Sequence, residues 1–254
     1  MPLIFVYICI FVVTNTKTKM VYCFSGTGNS QWVADKLNGL LPDEPDVYGL
    51  VFPVYGWGIP KVVDEYIRKH IDSIQQSKYI YAVMTCGDDV GYADKVLRKA
   101  LGGRLDAVFS LQMPNTYVCL PGFDVDKDDV AQAKVQGTLE RLPIVAGHIR
   151  LREKRTDVVR GACAWVKTYV LRPMFNRFLV TDKYYHVISS QCTQCKRCVM
   201  GCPLGNMTVD EEGNVVWKHE NCTACLRCYH RCPNKAVQFG RFTKNKGQKI
   251  QVLD

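Results

Sequence analysis

Eight cysteines fall into two groups of identical spacing, and that spacing constrains the chain more than anything else in it. Cys192-x2-Cys195-x2-Cys198-x3-Cys202-Pro203 recurs thirty residues later as Cys222-x2-Cys225-x2-Cys228-x3-Cys232-Pro233. Three thiolates at two-residue gaps wrap three irons of one cubane, and the fourth, set off by three residues and followed by proline, reaches the neighbouring cubane. The spacing therefore predicts two 4Fe-4S clusters. Cys192, Cys195, Cys198 and Cys232 would hold one, and Cys222, Cys225, Cys228 and Cys202 the other. Zinc also takes four thiolates, but its sites pair two ligands, leave a spacer and pair two more. A disulfide framework suits short secreted chains, whereas this chain has 254 residues and an odd count of 13 cysteines.

Between the two groups, Met207 to Val209 and Asn214 to Trp217 predict a hairpin turning at Glu211-Glu212-Gly213, with Ala236 to Phe239 pairing late. So small a unit buries little apolar surface, so its metal should be part of its fold. Cys9, Cys23, Cys86, Cys119 and Cys163 have no partner at metal spacing and read as buried thiols. None of the five histidines, His230 included, forms a ligand or catalytic pair.

The formal charge of +9 is uneven. Residues 1 to 140 carry 13 Lys and Arg against 16 Asp and Glu, and residues 141 to 254 carry 20 against 8. Oxidised clusters bring about −2 each, so the loaded protein is only mildly basic. The cations thus read as compensation for buried negative charge, or as a face for an acidic redox partner, rather than as a nucleic-acid site. Leu3 to Val13 is apolar but too short to span a bilayer. It also lacks the flanks of an export signal, which predicts a cytoplasmic protein. Residues 1 to 19 are expected to be an unstructured extension ahead of a natural start at Met20.

From Met20, apolar runs alternate with stretches of helical period, the pattern of a parallel α/β sheet. Strands are predicted at Met20 to Phe24, Tyr48 to Phe52, Tyr79 to Thr85 and Ala107 to Gln112. Helices are predicted at Ser30 to Leu41, Pro60 to Ile71, Tyr92 to Leu101 and Lys127 to Ile149. The first strand runs into Ser25-Gly26-Thr27-Gly28-Asn29-Ser30. Its glycines let backbone amides converge, the helix start adds partial positive charge, and the hydroxyls and amide can donate to a phosphate. The last glycine of a dinucleotide fingerprint is replaced by Gln31, and a Walker lysine is absent. The second strand ends in Pro53-Val54-Tyr55-Gly56-Trp57, two aromatics able to flank a flat ring. The third ends in Thr85-Cys86-Gly87-Asp88-Asp89, which can offer amides to a ring edge.

These three loops resemble those of flavodoxins, and with the cysteine groups the chain resembles the flavodoxin-ferredoxin fusion proteins of anaerobic bacteria and archaea over roughly residues 20 to 240. The resemblance implies a flavodoxin-like doubly wound parallel sheet followed by a small α+β ferredoxin domain. It also implies FMN as a further cofactor. Ser25, Thr27, Gly28, Asn29 and Ser30 would lie on the phosphate, and Pro53, Val54, Tyr55, Gly56, Trp57, Cys86, Gly87 and Asp88 around the ring. Pro42 to Val47 is too brief for the usual edge strand, which is expected to be missing. The expected boundaries are 20–150 for the flavin domain, 151–184 for an interdomain helical segment, 185–242 for the ferredoxin domain and 243–254 for a basic tail. Gly161 to Val180, interrupted by Pro173, is expected between the domains, with a membrane-surface helix as the alternative. Met113 to Gly122 would shape the flavin edge.

The function expected is electron relay between FMN, the two clusters and external redox proteins. The alternative is a reductase of a small-molecule acceptor. A third reading makes the clusters structural staples of a binding module.

Overall fold

The computed structural model describes residues 20–250. The expectations for residues 1–19 and Cys9 lie outside them. Five parallel strands form the main sheet in the order β1-β2-β3-β4-β5: Met20–Cys23, Val47–Pro53, Tyr79–Cys86, Ala107–Gln112 and Arg155–Asp157. Four helices connect them: α1 (Asn29–Leu40), α2 (Lys61–Gln76), α3 (Ala93–Ala100) and α4 (Asp128–Arg150). The four expected strands and helices are all present. β5 was not expected, because Arg-Thr-Asp carries no apolar signal; it pairs with the open side of β4 through Ala107 to Phe109.

Period-two alternation divides the strand side chains between two apolar layers. Leu50, Phe52, Ala82 and Met84 meet Val63, Ile67 and Ile74 of α2 and Leu97 of α3. Val51, Tyr81, Val83 and Phe109 meet Trp32, Val33 and Leu37 of α1 and Leu142, Val145 and Ile149 of α4. Burying each such large side chain stabilises the fold by about 1.5–3 kcal/mol.

Strand order follows chain order, yet α1 and α4 cover one face and α2 and α3 the other. Crossovers that move the same way across a sheet on opposite faces have opposite hands. Both hands must therefore occur here, although about 98% of such connections are right-handed. A doubly wound sheet avoids this by reversing direction at an inner strand. The short Pro42–Asp46 connection leaves no outer strand to supply the reversal, and among the described residues β1 is a bare edge. The divergence of α1 and α2 to opposite faces still opens a crevice at the carboxyl ends of β1 and β2.

Beyond β5 the chain forms a continuous helical stretch: α5 (Ala164–Val166), a π-helical turn (Lys167–Leu171) and α6 (Arg172–Phe178). The Arg172 N–H bonds the Lys167 carbonyl five residues back, just before Pro173, whose ring brings no N–H to continue the ladder. The C-terminal lobe has two small antiparallel pairs. β6 (Tyr185–Val187) pairs with β9 (Val237–Phe239), and β7 (Met207–Val209) pairs with β8 (Val215–Trp217). Two short helices, α7 (Arg197–Gly201) and α8 (Arg227–His230), complete it. The expected hairpin is present, and Ala236 to Phe239 finds its partner in β6. Residues 243–250 do not trail away. Lys246 donates to the Leu120 and Phe123 carbonyls, and Lys249 donates to the Asp126 carbonyl. Among the described residues, no helix is long and apolar enough to cross a membrane.

Candidate functional site

The loops after β1, β2, β3 and β4 meet in a cavity of about 630 Å³, within the range of small-molecule sites. Of the thirteen residues expected around FMN, all but Gly28 line it. Gly28 instead supports the loop from behind. It takes the left-handed conformation (φ 107°) at the start of α1, and its N–H donates to Ser25 Oγ at 3.1 Å. The other side chains of this loop are fastened to neighbouring loops. Ser30 Oγ shares a hydrogen bond with Thr85 Oγ1 at 2.8 Å, and Thr27 Oγ1 shares one with Thr116 Oγ1 at 3.3 Å. Asn29 Nδ2 donates to the Pro114 carbonyl at 2.9 Å. The deep end is thus a polar cradle at a helix start, the chemistry a phosphate ester requires.

After β2 the chain makes a tight two-residue turn. Tyr55 and Gly58 exchange both backbone hydrogen bonds, at 3.0 and 3.2 Å, while Gly56 (φ 51°) and Trp57 (φ 57°) take left-handed conformations between them. That is the type I′ pattern, which a tryptophan adopts only when its surroundings impose it. Thr168 Oγ1 donates to the Trp57 carbonyl at 3.1 Å, and Lys167 sits over the indole while pairing with Asp89 at 2.6 Å. A Cβ at Gly56 would lie 2.6 Å from the Phe175 ring, so only glycine fits beneath α6. The helical stretch expected between the domains is therefore a wall of the cavity, contributing Leu171, Met174, Phe175 and Phe178. Met113 to Tyr117, Leu120 and Phe123 form the opposite rim. Burial pushes the Cys86 thiol up to about 12, so it faces this cavity protonated.

The eight cysteines surround two further small cavities in the C-terminal lobe. Cys192, Cys195, Cys198 and Cys232 line one, and Cys202, Cys222, Cys225 and Cys228 line the other. Each group thus takes its fourth member from the other cysteine run, as the spacing predicts. Backbone N–H groups already point at the sulfurs: Asn206 at Cys202 (3.3 Å), Ala224 at Cys222 (3.3 Å) and Ala236 at Cys232 (3.1 Å). Burial pushes the thiols of Cys198 and Cys225 up to about 11 and that of Cys222 up to about 12. These pockets resist bare thiolates, so a multiply charged metal centre is what would hold them deprotonated. Arg227 fits the same conclusion: it is buried, lines the second cavity, and its Nε has no hydrogen-bond partner in the protein, as a cation beside an anionic cluster would. Among the described residues, no three Cys, His, Asp or Glu side chains gather closely enough for a single metal ion. A cubane spreads its ligands more widely than zinc, whose bonds are about 2.3 Å.

The two halves of the site touch. Thr223, Ala224, Cys225 and Leu226 line the large cavity as well, so Cys225 belongs both to a thiol group and to the cavity wall. A Cβ on Gly26 would lie 2.8 Å from the Cys225 carbonyl oxygen and 2.9 Å from its Cβ. His230, to which no role was assigned, pairs through Nε2 with the Thr116 carbonyl at 2.8 Å and accepts the Lys249 N–H on Nδ1 at 3.2 Å. It joins the cysteine-bearing α8 to the rim of the cavity. Of the remaining cysteines, Cys86 and Cys119 are buried and Cys23 half-buried, but Cys163 is exposed at a left-handed turn.

Comparison with curated proteins and with solved structures returns no match. Residues 191–250 match the 4Fe-4S dicluster domain family. The C-terminal lobe is accordingly a ferredoxin-type 4Fe-4S domain behind a parallel α/β domain, and the chain has an iron-sulfur electron-transfer role.

Proposed function

We propose that the protein relays electrons between FMN, held in the cavity at the carboxyl ends of the strands, and two 4Fe-4S clusters, serving external redox proteins. In this reading residues 20–157, a range that includes β5 of the main sheet, form a flavodoxin-like domain, Ser25 to Ser30 hold the phosphate, and Tyr55, Trp57 and the Cys86 to Asp88 loop border the ring. Cys192, Cys195, Cys198 and Cys232 ligate the outer cluster, and Cys222, Cys225, Cys228 and Cys202 the inner one. A bound flavin accepts electrons in pairs and releases them singly, whereas a cluster moves one at a time. The chain supplies placement: α6 and the Leu120 to Phe123 segment limit water, and the Cys222 to Leu226 loop sets the inner cluster against the flavin cavity.

The observation that carries this is the double membership of Cys225, a thiol of the inner group and a wall of the cavity. Anaerobic purification with iron, sulfide and flavin analysis, followed by a spectroscopic reductive titration, tests it. The expected result is about eight irons and one FMN per chain, with flavin and cluster bands bleaching in sequence. Iron without flavin would remove the relay and leave a dicluster protein.

A further inference from the structure

The 630 Å³ cavity has two chemically different ends. One end is formed by the polar loop after β1, whose side chains are tied to neighbouring loops. The outer end is bounded by Leu120, Phe123, Leu171, Met174, Phe175 and Phe178. Four of these large apolar side chains remain open to solvent: Met174 (56%), Phe178 (55%), Phe123 (45%) and Leu171 (42%). A rim of exposed apolar side chains around a cavity mouth is the signature of a ligand site.

Charge narrows the class of ligand. Among the described residues, no Lys, Arg or His lines this cavity. Its charged liners are Asp88 and Asp89, each already paired, Asp88 with Lys134 at 3.3 Å and Asp89 with Lys167 at 2.6 Å. An anion at the mouth would lose water and meet two carboxylates whose cations are already engaged. An uncharged molecule has no such cost. Shape narrows it further. The Tyr117 ring packs edge-on to Phe123, with centroids 5.7 Å apart, and tilted to Phe175 at 5.6 Å, so a continuous aromatic surface lines the rim, against which a flat ring can stack.

We propose that the mouth binds a planar, uncharged, apolar molecule of the naphthoquinone class. Its use as a redox site rests on the flavin reading above; binding itself does not.

Equilibrium dialysis of the oxidised full-length protein, purified anaerobically, tests this with 2-methyl-1,4-naphthoquinone and with the 2-sulfonate of 1,4-naphthoquinone, an anion on the same ring system. The neutral compound should bind saturably and about tenfold more tightly than the sulfonate. Met174→Lys places a cation at the rim on a side chain already exposed. It should weaken the neutral compound and strengthen the sulfonate, narrowing or inverting the preference, with affinities compared between samples of equal measured iron and flavin content. Phe178→Ala should weaken both. Equal affinity for the two compounds, or a preference untouched by Met174→Lys, overturns the proposal. Flavin is measured on the same samples, so a protein lacking FMN that still prefers the neutral compound would sink the relay and leave the mouth standing.

Discussion

The sheet domain and the C-terminal lobe build their candidate sites in opposite ways. In the sheet domain the apolar layers on both faces are complete without a ligand, and the cavity lies outside them, among loops. In the lobe the cysteines are themselves core: Cys198 and Cys232 are buried with Tyr229, Val237 and Phe239, and Cys192, Cys202, Cys222 and Cys228 pack against them. The strands there have three residues each, and the helices four or five. One region frames its cavity with a finished fold, and the other leaves its core to be finished by metal.

The largest test strips the clusters or makes Cys228→Ala. Amide exchange across 185–250 should rise by orders of magnitude toward unfolded rates, while β2 and β3 keep their protection. A lobe that stays protected without iron would end the contrast. Phe109→Ala probes the other side of it. Phe109 is fully buried between the sheet and α4, and its truncation should cost about 3–5 kcal/mol in chemical denaturation of the sheet domain. Iron per folded chain should not change. If that variant also loses its clusters, the two regions fold as one unit rather than two.

What could be read in advance follows the same division. Which cysteines gather depends on local spacing, so the two groups that line the small cavities were legible from residues 192 to 232, and buried parallel strands announced themselves as apolar runs. Contacts made by remote partners were not. Nothing in Arg155–Asp157 marks a strand; the open edge of β4 creates it. The helix around Pro173 showed an apolar side but not that Phe175 would press on Gly56. His230 looked idle because its partners, Thr116 and Lys249, lie 114 and 19 residues away. The same limit hid the meeting of Gly26 with Cys225.

That meeting is where the contrast can be sharpened. Gly26 has Tyr55 Oη 2.7 Å, and the Cys225 carbonyl oxygen 2.8 Å, from where a Cβ would stand. Gly26→Val forces the loop after β1 away from the Cys222 to Leu226 loop, an overpacking cost of about 1–3 kcal/mol. Each region should keep its own fold, with unchanged protection in β3 and in β9. Exchange should rise at residues 24–28 and 222–226, and flavin reduction by pre-reduced clusters should slow. Unchanged transfer would mean that the two cofactors do not communicate through this contact.

The smallest expected effect isolates one hydroxyl. Thr116 faces both regions: Oγ1 pairs with Thr27 of the loop after β1, while its carbonyl pairs with His230 of the lobe. Thr116→Val deletes the first link and preserves the second, because the backbone carbonyl remains. The lost neutral hydrogen bond is worth about 0.5–1.5 kcal/mol, which corresponds to FMN affinity weakened by about two- to tenfold in a fluorescence titration. Iron content and the thermal transition of the lobe should not move. A cluster signal that weakens together with flavin affinity would show that the Thr27–Thr116–His230 chain carries strain between the regions, and that the loop after β4 belongs to both.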